Sequence, residues 1–129
     1  MPESAQHPYE TDLRFAGYYL EDSYVLSIEE QLHGLRFQMD FVLTPEHPEY
    51  REPTEGKQHC YRRGHLAFSS ATACDLDRSH ARPSADSTGG TDLGNIDWFN
   101  ILPDNRYDLG GDWGELKVIA AKVEIALDN

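Results

Sequence analysis

The chain has 129 residues and a formal net charge of -12, from 23 acidic against 11 basic side chains. That length accommodates one domain with a real core, and a hydrophobic share of 39%, spread along most of the sequence, argues against wholesale disorder. So acidic a chain repels nucleic-acid backbones and anionic membranes, so neither is expected as a partner; a basic protein would be attracted, although solubility alone also accounts for an acidic surface.

In chain order, residues 1–12 carry two prolines and no periodicity, which predicts a loose end. From Gly17 to Glu29, Tyr24, Leu26 and Ile28 share one parity against Ser27 and Glu29, the pattern of a first strand; a short helix over Ser27 to Leu32 is the competing reading. Glu30-Gln31-Leu32-His33-Gly34 is a polar turn of hairpin length, so the next strand should return antiparallel. That strand, Gly34 to Leu43, carries the clearest signal in the sequence. Leu35, Phe37, Met39, Phe41 and Leu43 fall on one parity, and Arg36, Gln38, Asp40 and Val42 on the other, the period of a half-buried strand.

Pro45, Pro48 and Pro53, with acids between them, stop the strand and predict a loop over Thr44–Lys57. Gln58 to Ser70 reads as a third strand, Leu66 and Phe68 alternating with Ala67, and Gly64 permitting a bulge or a close approach of backbone. Ala71 to Arg78 continues it as a short strand. Ser79 to Asp92 is rich in serine, glycine and aspartate and predicts a mobile surface loop. Beyond it, Pro103-Asp104-Asn105 and Gly110-Gly111-Asp112 separate apolar runs at the spacing of a three-strand meander. Leu116, Val118 and Ala120 give way to Val123, Ile125 and Leu127, a change of parity that requires a bulge or turn near Ala121-Lys122.

Six to eight short-turned strands predict an all-β single domain, an antiparallel β-sandwich or open barrel with little or no helix. Its expected core is Phe37, Met39, Phe41, Leu66, Phe68, Ile96, Val118 and Ile125.

Candidate sites follow from residue types. His59, Cys60, His65, Cys74 and His80 could be gathered into a zinc site, but neighbours 59 and 60 on a strand point to opposite faces, so two small buried cysteines are the better reading and no metal or cofactor is expected. Asp92, Asn95 and Asp97 offer hard oxygens without the spacing of an EF-hand loop, and a turn explains them better. Arg62 and Arg63, with His59 and His65, form a basic island suited to an anionic ligand or to cross-strand pairing with acids; being adjacent, the two arginines cannot serve one site together. Trp98, Trp113, Tyr107, Tyr18, Tyr19 and Tyr50 could form an aromatic platform for a sugar or a protein, while core packing explains Trp98 or Trp113 equally well. The binding candidates are therefore Tyr50, Arg62, Arg63, Trp98 and Trp113. With 23 carboxylates and six histidines, an acid and a base can always be paired on paper, so no catalytic residue is nominated.

The run Tyr19-Leu20-Glu21-Asp22-Ser23-Tyr24-Val25-Leu26 and its hairpin into GLRFQMDFVL resemble small uncharacterised bacterial proteins and, more distantly, the β-rich immunity proteins of bacterial toxin systems. Asp92-Leu93-Gly94-Asn95-Ile96-Asp97 and Gly111-Asp112-Trp113-Gly114 add to the first likeness. The resemblance implies a fold and a binding role, and no catalytic residue.

With no secretory leader and no apolar run of the roughly 18 residues that a membrane span needs, both thiols are expected reduced and the protein cytoplasmic. The leading expectation is a non-enzymatic acidic protein that binds a basic protein partner, with aromatics near Thr44–Lys57 as anchors. A small-ligand or carbohydrate-binding β domain is the alternative, and an enzyme comes third.

Overall fold

The computed structural model describes residues 7–9, 12–53, 59–79, 84–85 and 91–128. Its strands are β1 (His7–Pro8), β2 (Tyr18–Gln31), β3 (Gly34–Leu43), β4 (Cys60–Asp77), β5 (Ser84–Ala85), β6 (Thr91–Asp92), β7 (Trp98–Leu102), β8 (Arg106–Gly111) and β9 (Gly114–Leu127). All pairings are antiparallel. A single curled sheet of order β1-β7-β8-β9-β4-β3-β2 forms a half-barrel, and β5 and β6 pair separately. Of the two expected architectures, the open barrel is the one adopted. One 3-10 turn, Leu13–Phe15, is capped by Asp12.

The β3 alternation does what its period requires. Leu35, Phe37, Met39, Phe41 and Leu43 are buried on the inner face, where Leu66 and Phe68 of β4, Phe99 and Ile101 of β7, Tyr107 and Leu109 of β8, and Leu116, Val118 and Ala120 of β9 meet them. Of the expected core, Ile125 alone is only partly buried. Aromatic rings fill the hollow of the sheet: Phe68 lies 5.4 Å from Tyr107, and Phe37 stands edge-on to Trp113 at 5.0 Å.

Four expectations about the chain are corrected. The N-terminus is not uniformly loose: His7 and Pro8 pair with Ile101 and Asn100, and Tyr9 is buried, its hydroxyl accepting from the Leu20 amide and bonding to Glu21. Residues 1–6 and 10–11 lie outside the described residues. In β2 the inward side chains are Leu20 and Val25, not Tyr24 and Leu26, because register shifts between Tyr19 and Tyr24 and between Val25 and Ser27 insert extra residues that reset the parity. The parity change in β9 occurs without breaking it: Ala121 and Lys122 are both exposed in a continuous strand, and the irregularity falls on the partner, where Ser70 has φ 52° and β4 bulges between Ala71 and Ala73. Finally, Cys74 is exposed and Cys60 half-buried, so neither is the small core residue expected. The long β4 carries its two thiols near opposite ends.

The hairpin turn after β2 is Leu32-His33, between paired Gln31 and Gly34. Gly64 is the close approach anticipated from sequence: a β-carbon there would run into the Ala126 carbonyl and sit 2.9 Å from the Phe41 ring. Thr44 to Pro53 is loop, as its prolines require; residues 54–58, 80–83 and 86–90 lie outside the described residues. The later hairpins turn at Pro103-Asp104-Asn105, where Asp104 and Asn105 take positive φ, and at Asp112-Trp113, one residue beyond the expected turn. Among the described residues no helix is long and apolar enough to cross a membrane.

Candidate binding face

The structure does not bring the five nominated residues together. Tyr50 is half-buried in the loop after β3, its amide donating to the His47 carbonyl, and lines a cleft of about 180 Å³ with Tyr19, Pro45, Pro53 and His59. Arg62 and Arg63 diverge to opposite faces as their adjacency demands. Arg62 Nη1 lies 3.4 Å from Glu49 Oε1 and Arg63 Nε lies 4.0 Å from Asp40 Oδ1, while His59 faces Asp22 at 3.2 Å and His65 faces Asp128 at 3.4 Å. Each member of the basic island thus faces a nearby acid, but only Arg63 and Asp40 form the cross-strand pair anticipated for it; in each of the other pairs one partner lies outside the strands.

Trp113 is a correction. It is 1% exposed, packs on Phe37, and donates its Nε1–H to the Asn95 carbonyl at 3.0 Å, so it belongs to the core. Asn95 is structural but not in the expected turn: it bridges to Tyr24, and its side-chain amide donates to the Ser23 carbonyl at 2.7 Å. Asp92 has no described side chain, and His80 lies outside the described residues. Among the described residues no three His, Cys, Asp or Glu side chains gather closely enough to hold a metal ion. Burial, and then Glu30 and Asp75, push the Cys74 thiol above its ordinary value, so it is not an activated nucleophile.

Trp98 is the nominated residue that stands out, 38% exposed on the outer face of the sheet. Antiparallel pairing aligns that face into three rows across β7, β8, β9 and β4. The first is Trp98, Gly110, Glu115 and Asp77; the second is Asn100, Asp108, Lys117 and Asp75; the third is Leu102, Arg106, Ile119 and Ala73. On β7, β8 and β9 these residues face out because their strand neighbours Phe99, Ile101, Tyr107, Leu109, Leu116 and Val118 are buried, and Asp77, Asp75 and Ala73 share that face by standing opposite Glu115, Lys117 and Ile119.

Gly110 is what lets the indole lie down. A β-carbon there would press into the ring, 2.9 Å from Cε2 and nearer still to Cζ2 and Cη2. With glycine the ring rests on bare backbone, and its Nε1–H reaches Asp108 Oδ1 at 3.3 Å. Asp108 is the carboxylate it touches; Glu115 and Asp77 lie further along its row, two and three strands away. Asp97 is held above its ordinary carboxylate range, first by burial and then by the like charge of Asp112. Among the described residues neither Glu115, Asp75 nor Lys117 closes an ion pair. At the far end of the face a hollow of about 430 Å³ opens over the third row, with Ala73, Leu102 and Ile119 as apolar lining and Asp75, Arg106, Asp108 and Lys117 around it. The β4 bulge beside Ala73 lies at this end.

Sequence reasoning missed Gly110, Asp108, Glu115 and Asp77 as companions of Trp98. Period-two alternation in each strand would have placed them outward. Which of them share a row depends on strand register, which no single segment encodes. No protein-family model, no curated protein and no solved structure matches this chain.

Proposed function

We propose that the protein is a non-enzymatic binding protein whose outer sheet face docks a basic protein partner. The observation that carries this reading is Trp98, laid on Gly110 and partly open to solvent, bonded to Asp108 and in one row with Glu115 and Asp77. Tryptophan supplies large, rigid contact area at binding hot spots, and an indole face attracts cations. The surrounding charge, in a chain of net charge -12, raises the association rate of a basic partner and repels acidic ones. This moves the expected anchors from the Thr44–Lys57 loop to the meander. A cytoplasmic, immunity-like inhibitor of a basic toxin is the form of this role to which the sequence resemblance points.

The test is capture from the native host at low salt, using wild type beside Trp98→Ala and Glu115→Lys. A specific basic protein should be retained by wild type, released as salt rises, and lost in both variants. Retention that ignores both substitutions, or no specific retention at all, would count against the reading. An exposed indole flanked by Asn100 and Asp108 also suits a sugar ring; salt-insensitive quenching of Trp98 by a neutral oligosaccharide would favour that alternative.

A further inference from the structure

The outer face is polarised along its strands. In the Trp98 row both charges are negative, Glu115 and Asp77, with Asp97 and Asp112 close to each other nearby, and Arg78 follows Asp77 beside Gly114. The middle row mixes Asp108, Lys117 and Asp75. The last row holds a single charge, Arg106, among Leu102, Ile119 and Ala73, beneath the hollow of about 430 Å³. A basic group is therefore favoured in the Trp98 row, while an apolar group finds cover at the other end, where the acids Asp75 and Asp108 offset the bases Arg106 and Lys117.

Resting on the reading of this face as a docking site, we propose that its partner engages it with two anchors on one extended segment. An arginine lies over Trp98, and a large apolar side chain four residues away enters the hollow above Leu102, Ile119 and Ala73. The spacing follows from the rows. Trp98 and Leu102 are four residues apart on β7, a span of about 13 Å at roughly 3.3 Å per residue, and an extended partner covers it in the same four residues with both side chains on one side. Arginine is chosen over lysine on geometry: a planar guanidinium stacks on an indole while its in-plane N–H groups still reach carboxylates at the ring edge, which a compact, strongly hydrated ammonium does not do.

The experiment titrates the full chain at low salt with eight-residue glycine/serine peptides carrying arginine and leucine four positions apart, in both orders, read by tryptophan fluorescence and calorimetry. At least one order should bind about fivefold more tightly than its lysine counterpart, and more tightly than a peptide with leucine moved by one position, which turns it away from the face. Trp98→Ala should erase the arginine preference and leave the leucine dependence. Ala73→Glu, at an exposed position where folding is not at risk, should fill the hollow and do the reverse. Equal binding of arginine and lysine peptides, or indifference to spacing, overturns the two-anchor inference while the basic-partner reading stands. No binding by any basic peptide, together with no captured partner, overturns both.

Discussion

Gly110→Ala is the smallest change that tests the candidate face. The added carbon would lie 2.9 Å from Trp98 Cε2 and closer to two other ring atoms, whereas comfortable carbon contacts are about 3.5–4.0 Å. The ring must retreat by more than about 1 Å and, being already 38% exposed, it will swing outward rather than compress the sheet. About 50 Å² of apolar contact would be returned to water, roughly 1.2 kcal/mol at 25 cal/mol per Å². The bond to Asp108, solvent-exposed and long at 3.3 Å, adds about 0.5 kcal/mol. Replacing glycine by alanine within a strand returns about 0.5 kcal/mol of backbone entropy, leaving a net loss near 1 kcal/mol, a fall of about 3–5 °C in Tm. Thermal unfolding by circular dichroism reads that loss, and acrylamide quenching should show a larger accessible tryptophan fraction while buried Trp113 stays silent. In a Trp98→Ala background the same glycine substitution should be neutral or slightly stabilising, because no ring remains to displace. An unchanged Tm with unchanged quenching in the wild-type background would refute the stacked geometry, and with it the platform on which the proposed function stands.

The remaining predictions concern core and charge. Phe41→Asp removes a fully buried ring that packs edge-on to Tyr18 at 5.1 Å and leaves a carboxylate in its place, a loss of several kcal/mol that should abolish the unfolding transition; Phe41→Leu, costing about 1–2 kcal/mol, should still melt cooperatively at lower temperature. A normal melt for the aspartate variant would show the β3 parity to be wrong. Asp97→Asn should raise Tm by about 1–2 °C at neutral pH, a small gain because the group is exposed. A carboxyl held high in the folded state costs stability above that raised value, and the cost disappears as pH falls below the unfolded value near 3.9, so the gain should vanish in acid; a gain that persists there would contradict the assignment. Asp128 has the opposite sign. It accepts from Gln38 Nε2 at 2.9 Å and pairs with His65, which hold its carboxyl below the ordinary range. Its contribution is present above the unfolded value near 3.9 and lost as pH falls through the lower folded one, so Asp128→Asn should flatten that part of the acid limb of the stability curve, while an unaltered limb would assign the acid loss elsewhere.

The sequence by itself determined that the chain is built from strands, that Thr44 to Pro53 is loop, and the inner face of β3, because a side-chain period of two is local and Leu35 to Leu43 keep it without interruption. Gly64 as a close approach and the parity change after Ala120 were legible for the same reason. Of the loop expected over Ser79–Asp92, Ser84–Ala85 and Thr91–Asp92 instead pair as strands. The parity of β2 was not: its extra residues between Tyr19 and Tyr24 are placed by pairing with Val42 and Asp40, not by β2 alone. Tyr9 was hidden because its burial needs Phe99, which lies far along the chain and is brought to it only by the pairing of β1 with β7. The two tryptophans show the division most plainly. Nothing local separates Trp98 from Trp113, each beside turn residues in the same meander. Only the folded sheet seats one on Phe37 and lays the other on Gly110 beside Asp108, in one row with Glu115 and Asp77, since cross-strand neighbours are chosen by hydrogen-bond register between segments and not by the order of residues within any one of them.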